Sequence, residues 1–219
     1  MTSQPEIREP EPRWPAIIAA LGTGVLFIVL PEDLTVGPGW LPFLLSAVIL
    51  VPTVAFRRAG RLRLNELFSY AGLAVITLAL LSSMTLLVMR LPHYKGPPVD
   101  LLRAAAALWF SNVLVFASWY WRLDGGGPNQ RDKRGVHTDG AFLFPQMMMD
   151  QERKRQMGEE CWSPGFIDYL FLAFNTSTAF SPTDVPVLSR WAKVMMIVQS
   201  IISLATVVLL AARAVNILS

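Results

Sequence analysis

Six long apolar runs, separated by polar links, dominate the pattern of hydrophobic and polar positions along the chain. They cover residues 14–30, 40–56, 67–89, 101–121, 166–180 and 190–218. Because lipid offers the backbone no hydrogen-bond partners, an embedded chain must satisfy its own amides, as a helix does. A helix needs roughly 20 apolar residues to cross a bilayer. The pattern therefore predicts an all-α, polytopic transmembrane helical bundle with six segments.

The fifth run, residues 166–180, is short for a membrane-spanning helix. It would form about 22 Å of helix at a rise of about 1.5 Å per residue. The hydrocarbon core is roughly 30 Å thick. Two topologies follow: either all six segments span, or five span and the fifth is re-entrant. Ser219 lies on the side of the N-terminus in the first topology and on the opposite side in the second.

Positive charge is unevenly distributed among the polar links. When the links are assigned alternately to the two sides, those on the N-terminal side carry thirteen Lys and Arg, and the others carry two. Cytoplasmic loops accumulate Lys and Arg, so we expect a cytoplasmic N-terminus. The net charge of +3 is then explained by the orientation of the chain in the membrane, because most of the Lys and Arg residues lie in links on the cytoplasmic side. Since no platform of alternating basic and aromatic residues is present, a nucleic-acid partner is not expected.

Composition divides the chain into four regions. A Pro-rich cytoplasmic tail, 1–13, precedes a four-helix transmembrane region, 14–121, and a basic polar loop, 122–164, precedes a C-terminal pair, 165–219. Overall 53% of the residues are hydrophobic and 16% are charged, compared with about 25% charged in soluble domains. The lipid bilayer is therefore the expected environment.

The basic polar loop allows two interpretations. Gly125, Gly126, Gly127 and Pro128 predict a flexible link at its start. Residues 147–157 then form either a short helix lying on the membrane surface or a solvated loop with an apolar tip.

A run of aromatic and hydroxyl-bearing residues marks the C-terminal region. Residues 169–193 read Y-L-F-L-A-F-N-T-S-T-A-F-S-P-T-D-V-P-V-L-S-R-W-A-K. This stretch resembles the pore helix, filter and start of the inner helix of tetrameric potassium channels, whose pattern contains T-x-T-T-V-G-Y-G-D. Thr176 and Thr178 fall on the first two threonines of that pattern, and Asp184 falls on the aspartate after the filter.

The filter itself departs from the channel family. Ser181, Pro182 and Thr183 stand where the family has G-Y-G. Filter carbonyls point inward because glycine permits the required backbone, whereas proline fixes φ near −65° and has no amide hydrogen. The resemblance therefore implies a channel-like protein without a potassium-selective filter. The conducted ion would pass four hydroxyl groups, those of Thr176, Thr178, Ser181 and Thr183.

The S-P-T-D motif is also typical of a helix start. Ser181 would be the N-cap, Pro182 the first helical residue, and Asp184 a carboxylate near the positive helix end. In that interpretation the motif has a structural role only.

A second resemblance extends over the whole chain. Asp168–Val185 and Ala214–Asn216 match the pattern D-Y-x-F-x-x-F-x-x-x-T-x-F-S-x-T-D-V and the terminal A-V-N of uncharacterised bacterial integral-membrane families. This resemblance implies a multi-pass protein of the bacterial cytoplasmic membrane. It brings no catalytic residue with it.

Four polar residues within apolar runs are candidates for contacts between helices. Asp168 and Arg213 are expected at a similar depth, where they would form an intramembrane ion pair; alternatively, each reaches its own interface. Asn112 and Gln199 are expected to form hydrogen bonds across helices.

The sequence does not favour an enzyme. Cys161 is the only cysteine, His93 and His137 lack metal-ligand spacing, and no phosphate-binding or nucleophile motif occurs. We therefore expect no cofactor and no metal. The leading hypothesis is a channel-like or transport-related homo-oligomer. The alternative is a non-conducting scaffold that binds an unidentified protein partner through its polar loop.

Overall fold

The computed structural model describes residues 10–91, 94, 96–134, 137, 140–160, 162–181 and 184–218, with side chains to residue 212. Its helices are α1 (Trp14–Ile28), α2 (Leu41–Arg58), α3 (Leu62–Arg90), α4 (Pro98–Leu123), α5 (Pro128–Arg134), α6 (Pro145–Met148), α7 (Gln151–Gln156), α8 (Phe166–Ala179) and α9 (Arg190–Leu218). The described residues otherwise contain one isolated β-bridge and no strand. The predicted all-α fold is confirmed.

The protein is a membrane-embedded helical bundle. Within the described residues, α2, α3, α4 and α9 are long and apolar enough to cross a membrane, and α1 is a shorter apolar helix. Each of the six predicted apolar runs forms a helix whose ends lie close to those expected.

The first four helices form a ring in which each packs against its two neighbours. The approach of α1 to α2 is close, since a Cβ on Gly24 would lie 2.9 Å from the Cα of Phe43. The start of α1 and the ends of α2 and α4 meet at one end of this ring. We call this the basic end; it carries Arg13, Arg57, Arg58 and Arg122.

Helix α8 packs on α4 and runs antiparallel to it. At the start of α8, the Phe166 ring lies 5.7 Å from that of Trp121 at the basic end. Two turns later, the Phe174 ring lies 5.8 Å from that of Trp109. Helix α8 therefore starts at the basic end and penetrates into the bundle.

The chain returns to the basic end before α9 begins. Asp124, directly after α4, accepts a hydrogen bond from the amide of Ala141. The adjacent residue, Phe142, forms the β-bridge with Val187, and the amide of Leu188 donates to the Ala141 carbonyl at 2.8 Å. The segment between α8 and α9 is thereby attached beside the end of α4.

Helix α9 also starts at the basic end. Its Trp191 ring lies 6.0 Å from the Phe142 ring, and farther along Ser203 accepts a hydrogen bond of 2.8 Å from the Trp109 indole. Helices α8 and α9 therefore run in the same direction, both antiparallel to α4.

The S-P-T-D motif does not start a helix. Helix α9 begins at Arg190, and the Ser189 hydroxyl accepts a hydrogen bond from the Ala192 amide at 3.3 Å, as an N-cap does. Asp184 lies in a turn. Pro182 and Thr183 lie outside the described residues.

The three loop glycines form a defined turn instead of the expected flexible link. Gly125, Gly126 and Gly127 have φ values of 58°, 78° and 85°, which L side chains rarely adopt. A Cβ on Gly127 would lie 2.7 Å from the Arg122 carbonyl oxygen. Farther along the loop, α6 and α7 are short, and Met148 is exposed.

Candidate functional site

A buried polar cluster joins α4, α8 and α9. The Gln199 amide nitrogen donates to the Ala173 carbonyl at 2.7 Å and to the Ser177 hydroxyl at 2.9 Å. The side-chain oxygen of Gln199 accepts a hydrogen bond of 2.6 Å from the Tyr120 hydroxyl, and its backbone carbonyl accepts one of 3.1 Å from the Asn112 side-chain amide. The predicted packing role of Asn112 and Gln199 is confirmed.

The predicted pore residues of α8 face in two directions. Thr176 is fully buried toward α4 and α9, and its hydroxyl donates to the Leu172 carbonyl at 2.8 Å. Thr178 is exposed and donates to the Phe174 carbonyl at 2.9 Å. Of these two threonines, only Thr178 therefore reaches the outer surface of a single chain.

The remaining residues of the motif follow the end of α8. Ser181 is half-buried and Asp184 is exposed. Phe180, the C-cap of α8, has a left-handed φ of 53° and is also exposed. Pro182 and Thr183 lie outside the described residues, so the path of the complete motif stays a prediction.

The C-terminal end of α8 lies deep in the bundle. Trp121 and Trp109, which mark the start and middle of α8, are separated by about 18 Å along α4 at about 1.5 Å per residue. The last carbonyls of a helix lack hydrogen-bond donors within the helix. One of them, the Ser177 carbonyl, accepts a hydrogen bond of 2.5 Å from the Ser203 hydroxyl. Helix ends of this kind carry partial negative charge.

Asp168 lies in the first turn of α8, close to the basic end. Its carboxylate accepts a hydrogen bond of 2.7 Å from the Gly165 amide, which caps the helix. The Arg213 side chain lies outside the described residues, so the proposed Asp168–Arg213 pair stays a prediction.

A second polar cluster lies at the basic end. The fully buried Asp124 carboxylate accepts a hydrogen bond of 2.6 Å from Tyr169 and lies 3.4 Å from His137. Arg131 donates to the Asp124 carbonyl at 2.8 Å and pairs with Glu11 at 3.2 Å. These contacts fix the start of α8 and the polar loop against the end of α4.

A cavity of about 370 Å³ lies inside the ring of α1 to α4, and residues of all four helices line it. This volume lies within the roughly 300–1,000 Å³ range of small-molecule sites. Its inner wall includes Ile49, Leu73, Ile76 and Val115. The hydroxyl of Ser69, also on the wall, is buried and has no hydrogen-bond partner among the residues that the structure describes.

Among the described residues, the wall of this cavity carries four arginines and no carboxylate. Arg13 is ion-paired with Asp132 and with Glu11, the latter at 2.9 Å. Burial lowers the pKa of Arg13 from its ordinary value, Glu11 and Asp132 act to raise it, and nearby Arg57 lowers it further. Arg57 lies 4.0 Å from Asp132.

The other two arginines, Arg58 and Arg122, form no ion pair with any described carboxylate. Arg122 is half-buried and lies over the Trp121 ring, 5.0 Å from its centroid. The basic end of the cavity therefore holds two guanidinium groups without a carboxylate partner.

The sequence pointed to α8 but not to the cavity or the basic-end cluster. Glu11 lies more than 110 residues before Asp124 and Arg131 in the chain, and the three residues form no motif; the position of Asp124 just after an apolar run was the one available signal. No family model, no curated protein and no solved structure matches the chain.

Proposed function

We propose that the protein is channel-like or transport-related and forms a path for cations without potassium selectivity. The observation that supports this proposal is the direction of two helices: α8 and α9 both start at the basic end. Helix α8 is then re-entrant, and the residues after it lead back across the membrane interior. Channels and transporters use such broken segments to line their ion paths.

The exposed end of α8 supports assembly into a homo-oligomer. Thr178, Ala179 and Phe180 are exposed in the single chain, at the depth where α8 ends. Non-helical backbone is tolerated at membrane depth only where protein covers it or water surrounds it. A second copy, or a water-filled path between copies, meets this requirement.

The polarity of α8 favours cations. Its C-terminal end carries partial negative charge and is exposed on the surface of the single chain, where the Thr178 hydroxyl also lies. Half-helix C-termini and unwound carbonyls coordinate cations in transporters. Pro182, at the position of the tyrosine between the two filter glycines, argues against the backbone of a potassium filter.

We further propose a multi-pass arrangement in a bacterial cytoplasmic membrane, with five crossings and the re-entrant α8. The basic end faces the cytoplasm because Lys and Arg accumulate there. Residue Ser219 then lies outside.

Cation flux through reconstituted liposomes tests the proposed function. Purified protein should conduct monovalent cations with little preference for potassium over sodium. Thr178→Val, which removes the exposed hydroxyl, should lower the flux by roughly severalfold, since the hydroxyl is a ligand that the ion path would lose.

The matched control for this test is Thr85→Val. Thr85 is also exposed, and its hydroxyl also donates to the carbonyl four residues earlier, Leu81, at 2.8 Å. Thr85 lies on α3, away from α8, so the cation flux of the Thr85→Val variant should equal that of the unmodified protein. If folded protein gives no flux, the conducting function is refuted and the non-conducting scaffold becomes the better interpretation.

A further inference from the structure

The ring of α1 to α4 contains a site that is separate from α8 and α9. None of the described residues around its cavity belongs to α8 or α9. Any ligand bound there is independent of the proposed ion path, and its chemistry must be inferred from the cavity itself.

The interior of the cavity matches a hydrocarbon chain. Its wall is mostly apolar, and it extends from Arg13 to Thr23 along α1, about 15 Å at a rise of about 1.5 Å per residue. The Thr23, Ser46 and Thr53 hydroxyls on the wall all donate to carbonyls of their own helices. These hydroxyls are therefore satisfied without a polar ligand.

Ser69 differs from those hydroxyls. It is 6% exposed and lies on the cavity wall, and its hydroxyl has no partner within the described part of the chain. A buried hydroxyl without a partner destabilises the structure, because it has lost its hydrogen bonds to water and gained none. A polar atom of a ligand that sits near the basic end would remove this cost.

The basic end of the cavity matches a phosphate monoester. Such a group carries about −1.5 to −2 charges at pH 7, and Arg58 and Arg122 provide two guanidinium groups without a carboxylate partner. Guanidinium groups bind phosphate oxygens in a planar, often bidentate geometry. Of the neighbouring acids, Glu11 and Asp132 pair with Arg13, and Glu66 accepts a hydrogen bond of 3.3 Å from Asn129.

We propose that this cavity binds a single hydrocarbon chain that carries a phosphate monoester. The chain lies between α1, α2, α3 and α4, and the phosphate lies among Arg57, Arg58 and Arg122. The Ser69 hydroxyl donates to an oxygen of the linkage between phosphate and chain.

Three probes separate the parts of this proposal: a monoacylglycerol phosphate, the monoacylglycerol with the same chain, and inorganic phosphate. Binding to the detergent-purified protein is measured by native mass spectrometry and by calorimetry. The phosphorylated amphiphile should bind at least roughly tenfold more tightly than either of the others, a difference of about 1.4 kcal/mol.

Two pairs of variants locate the site. Arg58→Gln should weaken binding of the phosphorylated probe by roughly tenfold, whereas Arg63→Gln, an exposed arginine outside the cavity, should leave it unchanged. Ala20→Phe fills the cavity and should abolish binding, whereas Ala74→Phe, on the exposed face of α3, should not.

Each contrary result overturns a stated part of the proposal. Equal binding of the two amphiphiles overturns phosphate recognition, and equally tight binding of inorganic phosphate overturns the role of the chain. Binding that Ala20→Phe leaves intact overturns the location. Since Arg58 forms no ion pair in the described structure, loss of folding would not explain a loss of binding by Arg58→Gln. None of these outcomes depends on ion flux.

Discussion

Gln199 makes the densest set of contacts between helices in the α4, α8 and α9 unit. Its side chain bonds to Ala173, Ser177 and Tyr120, which lie on two other helices. Hydrogen bonds between membrane helices contribute on average about 0.6 kcal/mol each and up to about 1.7 kcal/mol. Three such bonds from one fully buried side chain make Gln199 the main polar connection of α9 to α4 and α8.

Replacing Gln199 with leucine should lower the free energy of unfolding by about 1–3 kcal/mol. The substitution leaves the buried Tyr120 hydroxyl without its acceptor, and that penalty is larger than the loss of the bond alone. Unfolding by a denaturing detergent, followed by circular dichroism, measures the change.

The control for this prediction is Thr206→Val on the same helix. The Thr206 hydroxyl is also fully buried, but it donates only to the Ile202 and Ser203 carbonyls of its own helix. Removing the Thr206 hydroxyl therefore leaves no group on another helix without a hydrogen-bond partner. Equal destabilisation by the two substitutions would contradict the role given to Gln199.

At the scale of elements, the turn between α4 and α5 depends on one glycine. Gly127 has φ 85° and ψ 171°, a region that is essentially restricted to glycine and costs other residues about 1–3 kcal/mol. A Cβ there would also lie 2.7 Å from the Arg122 carbonyl. The turn positions Asn129 and Arg131, which are buried against the basic end.

Gly127→Ala should therefore lower the melting temperature clearly more than Gly158→Ala does. Gly158 has a similar φ of 70°, but a Cβ there meets nothing within 4 Å. Both glycines have a positive φ, but only at Gly127 would a Cβ also meet the Arg122 carbonyl oxygen. Thermal unfolding in detergent gives both values, and equal shifts would show that the turn tolerates the added methyl group.

The ends of the long helices were predictable because apolar runs change abruptly to polar links. The start of α9 was not predicted by S-P-T-D, although that motif satisfies the local rules for a helix start. Val187 pairs instead with Phe142, a residue more than forty positions earlier. A tertiary contact of this kind outweighs local propensity, and no local pattern announces it.

At the scale of the molecule, the sequence could not predict the cavity. Its lining comes from positions spaced along four helices, such as Arg13, Ser69 and Arg122. Each of them is ordinary in its own segment: an interfacial arginine or a small polar residue in an apolar run. Only the ring arrangement of α1 to α4 brings them together.

The direction of α9 leads to a test of the whole topology. The N-terminal start of α1, the ends of α2 and α4, and the starts of α8 and α9 all lie at the basic end. Helix α9 is 29 residues long, about 43 Å at a rise of about 1.5 Å per residue. This length is enough to carry its C-terminal end to the opposite face of a hydrocarbon core of roughly 30 Å.

A reporter fused after Ser219 should therefore be periplasmic, whereas one fused before Met1 should be cytoplasmic. Alkaline phosphatase is active only outside the cytoplasm and green fluorescent protein fluoresces only inside, so the two reporters give opposite readings at each end. A fusion that interrupts the link between α2 and α3, near Gly60, provides the cytoplasmic reference. A cytoplasmic Ser219 would require α8 to cross the membrane completely, which would contradict the common starting end of α8 and α9 and remove the support for a re-entrant ion path.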